Sequence, residues 1–219
     1  MKRLARSAAL HAVAPHTTVA AERGVALTFD DGPDPVFTPQ VLDVLAEHGA
    51  VATFFAVGKR AERYPALVRR IVDEGHALGS HSWSHREPGE LSARELGRDY
   101  RLGRRAVETA AWRDTPLFRP PKGLWDARTA LVTRAAGMRT WLWTVDSEDY
   151  RPGIDAGEIA ERGAAVAGGG VILLHDGIEL ALAPEAEDRS ATVAALPDLI
   201  SRIRARGLDL VRVDVERTA

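Results

Sequence analysis

Short apolar runs alternate with helix-length segments along this chain, and that alternation limits the fold more than any other feature. The runs at 25–29, 51–57, 77–80, 117–118, 138–145, 171–174 and 208–213 read as strands. The segments between them carry helix signals. Thr38-Pro39 opens one with Val41, Leu42, Leu45 and Ala46 at helical spacing up to Gly49, and Tyr64-Pro65 opens another that ends at Gly75. Ser92 with Glu95 forms a capping box for a long polar helix to about residue 110. A helix follows over 126–136, Asp155 and Glu158 form a box for one reaching about residue 167, and Thr192 caps one ending at Arg206. Strands that are apolar on both faces and separated by helices belong to a parallel sheet covered on its outside. The expected fold is therefore α/β, a single-domain, distorted and incomplete (β/α) barrel of about seven parallel strands over residues 23–219.

Composition narrows the function. Apolar residues make up 45% of the 219, enough for a core, and the net charge of -2 gives no basic surface for nucleic acid. Arg98, Arg101, Arg104 and Arg105, like Arg202, Arg204 and Arg206, are spaced as solvated helix faces. The chain has no cysteine, so any metal must be held by His and carboxylate. Residues 1–6 are basic, but 7–20 contain His11, Pro15 and His16 and lack an apolar run, so 1–22 reads as a poorly ordered leader without a convincing export signal. That leaves cytoplasmic and secreted locations both open. No run is long and apolar enough to span a bilayer, residues 178–191 read as a loop, and nothing sets the oligomeric state.

The polar residues fall at one kind of place. Asp30-Asp31 follow the first strand, His81 and His85 the third, Arg119 the fourth, Asp146 and Asp149 the fifth, and His175-Asp176 the sixth. All are C-terminal strand ends, which in parallel barrels share one mouth where active sites are built. Each has a plainer reading alone: Asp before Gly ends strands, a His pair suits an exposed turn, and an Arg or His at a strand end is often structural. Together they suggest chemistry. His81 and His85 are four apart, a spacing that one turn of helix puts on one face, and with a strand-end Asp they make a three-ligand site with room for water. Two adjacent carboxylates repel unless their roles differ, one on a metal and one free. Arg119, held by Pro120-Pro121, suits pairing with the free carboxylate, and His175 suits protonating a leaving group.

On these residues the chain resembles the polysaccharide deacetylases of the NodB-homology type, carbohydrate esterase family 4. Residues 28–33 resemble that family's first motif, 81–85 its second, Arg119-Pro120-Pro121 its third, 146–149 its fourth and Leu173-Leu174-His175 its fifth, in family order and over nearly the whole chain. The resemblance implies removal of N- or O-acetyl groups from an acetylated carbohydrate with one divalent metal ion, usually Zn2+. It implies Asp30 as general base, Asp31, His81 and His85 as metal ligands, Arg119 as the residue orienting the base, His175 as general acid and Asp149 as the carboxylate tuning it. Leu173 would line the acetyl pocket, and the Lys122 N–H would face the oxyanion. The family usually has an aromatic where this chain has Lys122 and a Trp where it has Tyr150, which bears on the sugar groove and points to short or anionic substrates. A C–N hydrolase on a small amide and a non-catalytic glycan-binding protein are the alternatives; the full set of acid, base and orienting residues weighs against the latter.

Overall fold

β1 (Gly24–Asp30) is the centre of the sheet in this computed structural model, which describes residues 14–177 and 188–213. It pairs in parallel with β2 (Thr53–Ala56) on one side and β7 (Val171–His175) on the other, while β8 (Asp209–Leu210) pairs with its first residues. Beyond β2 lie β3 (Ala77–Ser80), β4 (Leu117–Phe118) and β5 (Arg139–Thr140), and beyond β7 lies β6 (Val145–Asp146), all parallel. The helices are α1 (Phe37–Glu47), α2 (Gly58–Arg63), α3 (Pro65–Asp73), α4 (Ala93–Ala111), α5 (Ala127–Ala135), α6 (Ala156–Ala164) and α7 (Ser190–Ala205). Among the described residues none is long and apolar enough to cross a membrane.

Closure of the barrel explains the main departure from the expected strands. β5 and β6 stand at opposite edges of the sheet yet are separated only by residues 141–144. Five peptide steps reach at most roughly 18 Å, so the two edges must curl toward each other. Trp141 N donates to Phe118 O at 2.8 Å and Thr144 N to Val171 O at 2.9 Å, one on each side of the gap. The single strand expected over 138–145 is thus two short strands, because one end has to follow β4 and the other β7.

Burial follows the pleat. Val25, Leu27 and Phe29 of β1 and Ile172 and Leu174 of β7 face outward, under Val41, Leu42 and Leu45 of α1 and Leu196, Leu199 and Ile200 of α7. Ala26, Phe55, Leu117, Trp141 and Val171 fill the barrel's inside. Each large side chain buried in these layers contributes about 1.5–3 kcal/mol. Along β1 the inward column reads Ala26, Thr28, Asp30, so the apolar filling stops part-way and polar groups take over toward the C-terminal end.

Other expectations change as well. Thr38 and Thr192 are not caps: α1 and α7 begin at Phe37 and Ser190, and both threonines are buried in the first turn. Thr38 Oγ1 accepts from Asp34 N at 2.7 Å and donates to Asp176, and Thr192 Oγ1 donates to Asp149 Oδ2 at 2.9 Å. An unexpected helix, α2, follows β2 directly. Of the leader expected over 1–22, residues 1–13 lie outside the described range, whereas 14–22 run against the barrel. Val19 is buried, His16 bridges to Trp141, and Val19 N donates to Gly169 O at 2.8 Å. Residues 178–187 of the expected loop also lie outside that range, and 190–191 are already in α7.

Candidate active site

Asp31 sits just past β1 with a left-handed backbone (φ 74°), which turns its carboxylate into the mouth. His81 and His85 reach the same point from the segment after β3. That segment is not helical; it folds back on itself through left-handed residues at Ser82 (φ 65°) and His85 (φ 56°), with His85 N donating to Ser82 Oγ at 2.9 Å. The four-residue spacing therefore brings the rings together, 4.9 Å between centroids, by a folded loop rather than a helix turn. Gly103 of α4 makes this possible, since a Cβ there would lie 2.3 Å from the Ser82 carbonyl carbon. Non-glycine residues in this region of backbone space cluster where function requires them.

His81 Nε2 lies 3.4 Å and His85 Nε2 3.1 Å from the same oxygen, Asp31 Oδ1, and all three residues are buried. His81 Nδ1 lies 2.7 Å from the Arg119 carbonyl, which can only accept, so Nδ1 carries a proton and the tautomer this selects for the neutral ring has its lone pair at Nε2. Asp31 Oδ1 is buried without a conventional hydrogen bond among the described residues. In a tetrahedral shell with bonds of about 2.1 Å, neighbouring donors lie about 3.4 Å apart. These three atoms fit a cation. The electrostatics agree: burial disfavours charge on His81, but the carboxylates of Asp30 and Asp31 raise its pKa all the same, and burial of Asp31 is outweighed by the two imidazoles, which hold its carboxyl well below the usual range.

Asp30 is held differently. Its Oδ1 accepts from Arg119 NH1 at 2.8 Å, leaving Oδ2 3.7 Å from His81 Nε2. Arg119 is fully buried and fixed on every side, with NH1 also donating to Thr28 Oγ1 at 2.8 Å, Nε to Trp141 O at 3.2 Å, and its guanidinium 4.2 Å from the Phe55 ring. Thr28 Oγ1 in turn donates to Ile172 O at 2.6 Å. The adjacent carboxylates thus face different partners, Asp31 the histidines and Asp30 a cation.

His175, in register with Asp30 across β1 and β7, is gripped by Asp149. Its Nδ1 lies 2.7 Å from Asp149 Oδ1 and its backbone N donates to Oδ2 at 2.8 Å, which leaves Nε2 outside the pair. Burial opposes the imidazolium, but the Asp149 charge and hydrogen bond raise the His175 pKa to about 9. Asp149 is itself anchored, with Thr192 on Oδ2 and Arg189 NH1 donating to its carbonyl at 2.7 Å. Asp176, the next residue, is a buried acid whose pKa burial pushes up to about 7.

Asp30, Asp31, His81, His85 and His175 open together onto a cavity of about 510 Å³, also lined by Lys122, Leu173, Tyr150, Trp143 and Asp146. Every sequence-predicted site residue is there except Arg119 and Asp149, which lie behind its wall. Lys122 does not offer a lone positive charge, because its ammonium is paired with Glu87. Tyr150 OH donates to Asp146 Oδ2 at 3.2 Å, and its ring meets His175 edge-on at 5.5 Å. Thr28, Trp143, Arg189 and Thr192 were not anticipated as site residues. Only Thr28, two before Asp30 and so on the same strand face, carried a usable signal.

The chain is similar to known proteins in sequence and in fold. The profile of the polysaccharide deacetylase family matches residues 18–141. A chitooligosaccharide deacetylase of Sinorhizobium fredii is 43% identical over 188 residues, covering 84% of this chain and 86% of that protein. A peptidoglycan-N-acetylglucosamine deacetylase of Bacillus cereus is 37% identical over 198 residues, covering 88% and 87%. Among solved structures, a family 4 carbohydrate esterase from Streptomyces lividans in complex with acetate superposes with a TM-score of 0.78 at 30% identity, over 87% of this chain and 93% of that one. The chain belongs to the polysaccharide deacetylase family, the NodB-homology carbohydrate esterases.

Proposed function

We propose that this protein hydrolyses the N-acetyl group of N-acetylglucosamine units in an oligosaccharide, with one divalent ion, Zn2+, held by Asp31, His81 and His85. The observation that carries the reading is the approach of two imidazole Nε2 atoms to one buried oxygen of Asp31. The relatives named above act on chitooligosaccharides and on the N-acetylglucosamine of peptidoglycan, which supports that sugar here.

An ion at this position supplies Lewis acidity toward the acetyl carbonyl oxygen and acidifies water. Asp30, fixed by Arg119, accepts the proton that water loses as its oxygen adds to the carbonyl carbon. The Lys122 N–H donates to the developing oxyanion, and Leu173 packs against the methyl group. As the C–N bond breaks, His175 passes a proton from Nε2 to the departing nitrogen, so that acetate and a free amine leave, while Asp149 keeps the ring oriented. Trp143 and Tyr150 supply surface for the sugar ring.

Acetate release from N-acetylglucosamine oligomers, peptidoglycan and acetylated xylan, with and without chelator, tests this. The expected result is turnover of the N-acetylglucosamine substrates that chelation stops and added Zn2+ restores. Acetate from xylan alone, or turnover indifferent to chelation, contradicts it.

A further inference from the structure

The flank of the barrel carries a surface that the catalytic reading does not use. Arg94, Arg98, Arg101 and Arg105 follow one another at intervals of four, three and four along α4, so they form one stripe, continued by Thr109 and Trp112. All six are exposed, and the stripe is about 27 Å long. None of the four arginines is ion-paired among the described residues. This is not general for the chain: Arg104, one residue off the stripe, is held by Glu108 at 2.7 Å, and Arg202 by Asp198 at 2.8 Å. Four unpaired cations on one face of a protein with a net charge of -2 make a strong local field.

Trp112 closes the stripe in an unusual way. It ends α4 with a left-handed backbone (φ 55°), where glycine is the usual residue, and its side chain is 79% exposed. The Arg69 guanidinium of α3 stands 4.9 Å from the indole ring. Between α3 and α4 runs a groove of about 450 Å³ whose walls include Arg69, Leu102, Arg105 and Trp112, with Glu62 as the one acid among its lining residues. Because α4 follows the C-terminal end of β3 and returns to the start of β4, its first turn lies on the side of the mouth, and the stripe descends from there along the flank.

We propose that this face binds an acidic polysaccharide, one with carboxylates on repeating sugar units, and thereby holds a long chain beside the mouth. The arginines match a row of carboxylates, and an exposed indole offers a flat apolar surface to a sugar ring. Single-stranded nucleic acid fits less well, since it stacks successive bases on successive aromatics and this stripe has a single aromatic, at one end.

Binding of the full chain to polygalacturonate, neutral dextran, polyglutamate and single-stranded DNA tests the proposal without any turnover. Polygalacturonate should bind at low salt, weaken as salt rises, and bind roughly tenfold or more weakly to the Arg98→Gln/Arg101→Gln/Arg105→Gln variant, while dextran should not bind. Arg104→Gln should bind polygalacturonate like the parent protein. Trp112→Ala should weaken binding of polygalacturonate but not of polyglutamate, which has no ring to stack. Acetate release from a short neutral oligosaccharide should be unchanged in every variant, which also shows them folded. The proposal is overturned if the parent protein does not bind polygalacturonate, if the triple variant binds it equally, or if DNA binds more tightly than polygalacturonate.

Discussion

Arg119 ties the two halves of the site together. Its guanidinium holds the Asp30 carboxylate and its carbonyl accepts a hydrogen bond from His81 Nδ1, so one buried residue sets both the free acid and the tautomer of a candidate metal ligand. His175 and Asp149 form the second such unit, and they give a pH prediction. His175 must be protonated to donate, and its pKa stands at about 9 because the Asp149 carboxylate outweighs burial. Activity should therefore persist into alkaline solution and fall as pH rises through that value. Asp149→Asn removes the nearest negative charge and leaves only the Asp31 and Asp30 charges to oppose burial, so the alkaline limb of kcat/KM should move down toward the ordinary imidazole value of 6.5. A limb that stays in place would remove His175 from the role of acid. At this scale the sequence was informative about residues that strand ends deliver directly, such as Asp30, Asp31, His81, Arg119 and His175. It was uninformative about their supports. Thr192 reaches Asp149 across 43 positions and Arg119 reaches Thr28 across 91, and such pairings leave no local periodicity to read.

The loop after β3 shows what an element contributes beyond its residues. It carries His81 and His85, and it is pressed into shape by α4, whose Gly103 lies against the Ser82 backbone and whose Asp99 accepts from Trp83 N at 3.3 Å. The start of α4 is secured by Ser92, which accepts from Glu95 N while the Glu95 side chain accepts from Ser92 N at 2.9 Å. Ser92→Ala should cost about 1 kcal/mol of stability, measured by urea unfolding, with metal content unchanged because Ser92 itself is exposed. An unchanged midpoint would mean that the cap contributes nothing to holding α4. Capping boxes are legible because donor and acceptor lie within one turn. Thr38 and Thr192 show the limit of that logic: each stands where a cap is expected, but a remote carboxylate, Asp176 or Asp149, takes the hydroxyl instead. The broken strand over 138–145 has a similar cause, since its composition favours a strand throughout while its two ends belong to different edges of the sheet.

For the molecule as a whole, the alternation of strand and helix was enough to give a parallel barrel and to place its functional mouth, because parallel strands can be joined only by crossovers and so share one end. What pattern alone did not give is the way the barrel closes, which depends on residues 141–144 spanning the gap between β4 and β7. That closure also serves the site: the carbonyls of Trp141 and Leu142 receive Arg119, at 3.2 and 3.5 Å, and Trp143 borders the cavity. The same architecture leaves α4 outside the mouth, free to present a charged face of its own.

The central claim is that two neighbouring carboxylates do different work, Asp31 holding a metal ion and Asp30 taking a proton. Metal content and acetate release, measured side by side on Asp30→Asn and Asp31→Asn, test it most directly. Asp30→Asn should retain one equivalent of Zn2+ while losing activity by roughly 10²- to 10⁴-fold, and Asp31→Asn should lose the ion and recover part of its activity in excess metal. Equal loss of metal in both variants, or full activity in Asp30→Asn, would contradict the division of labour.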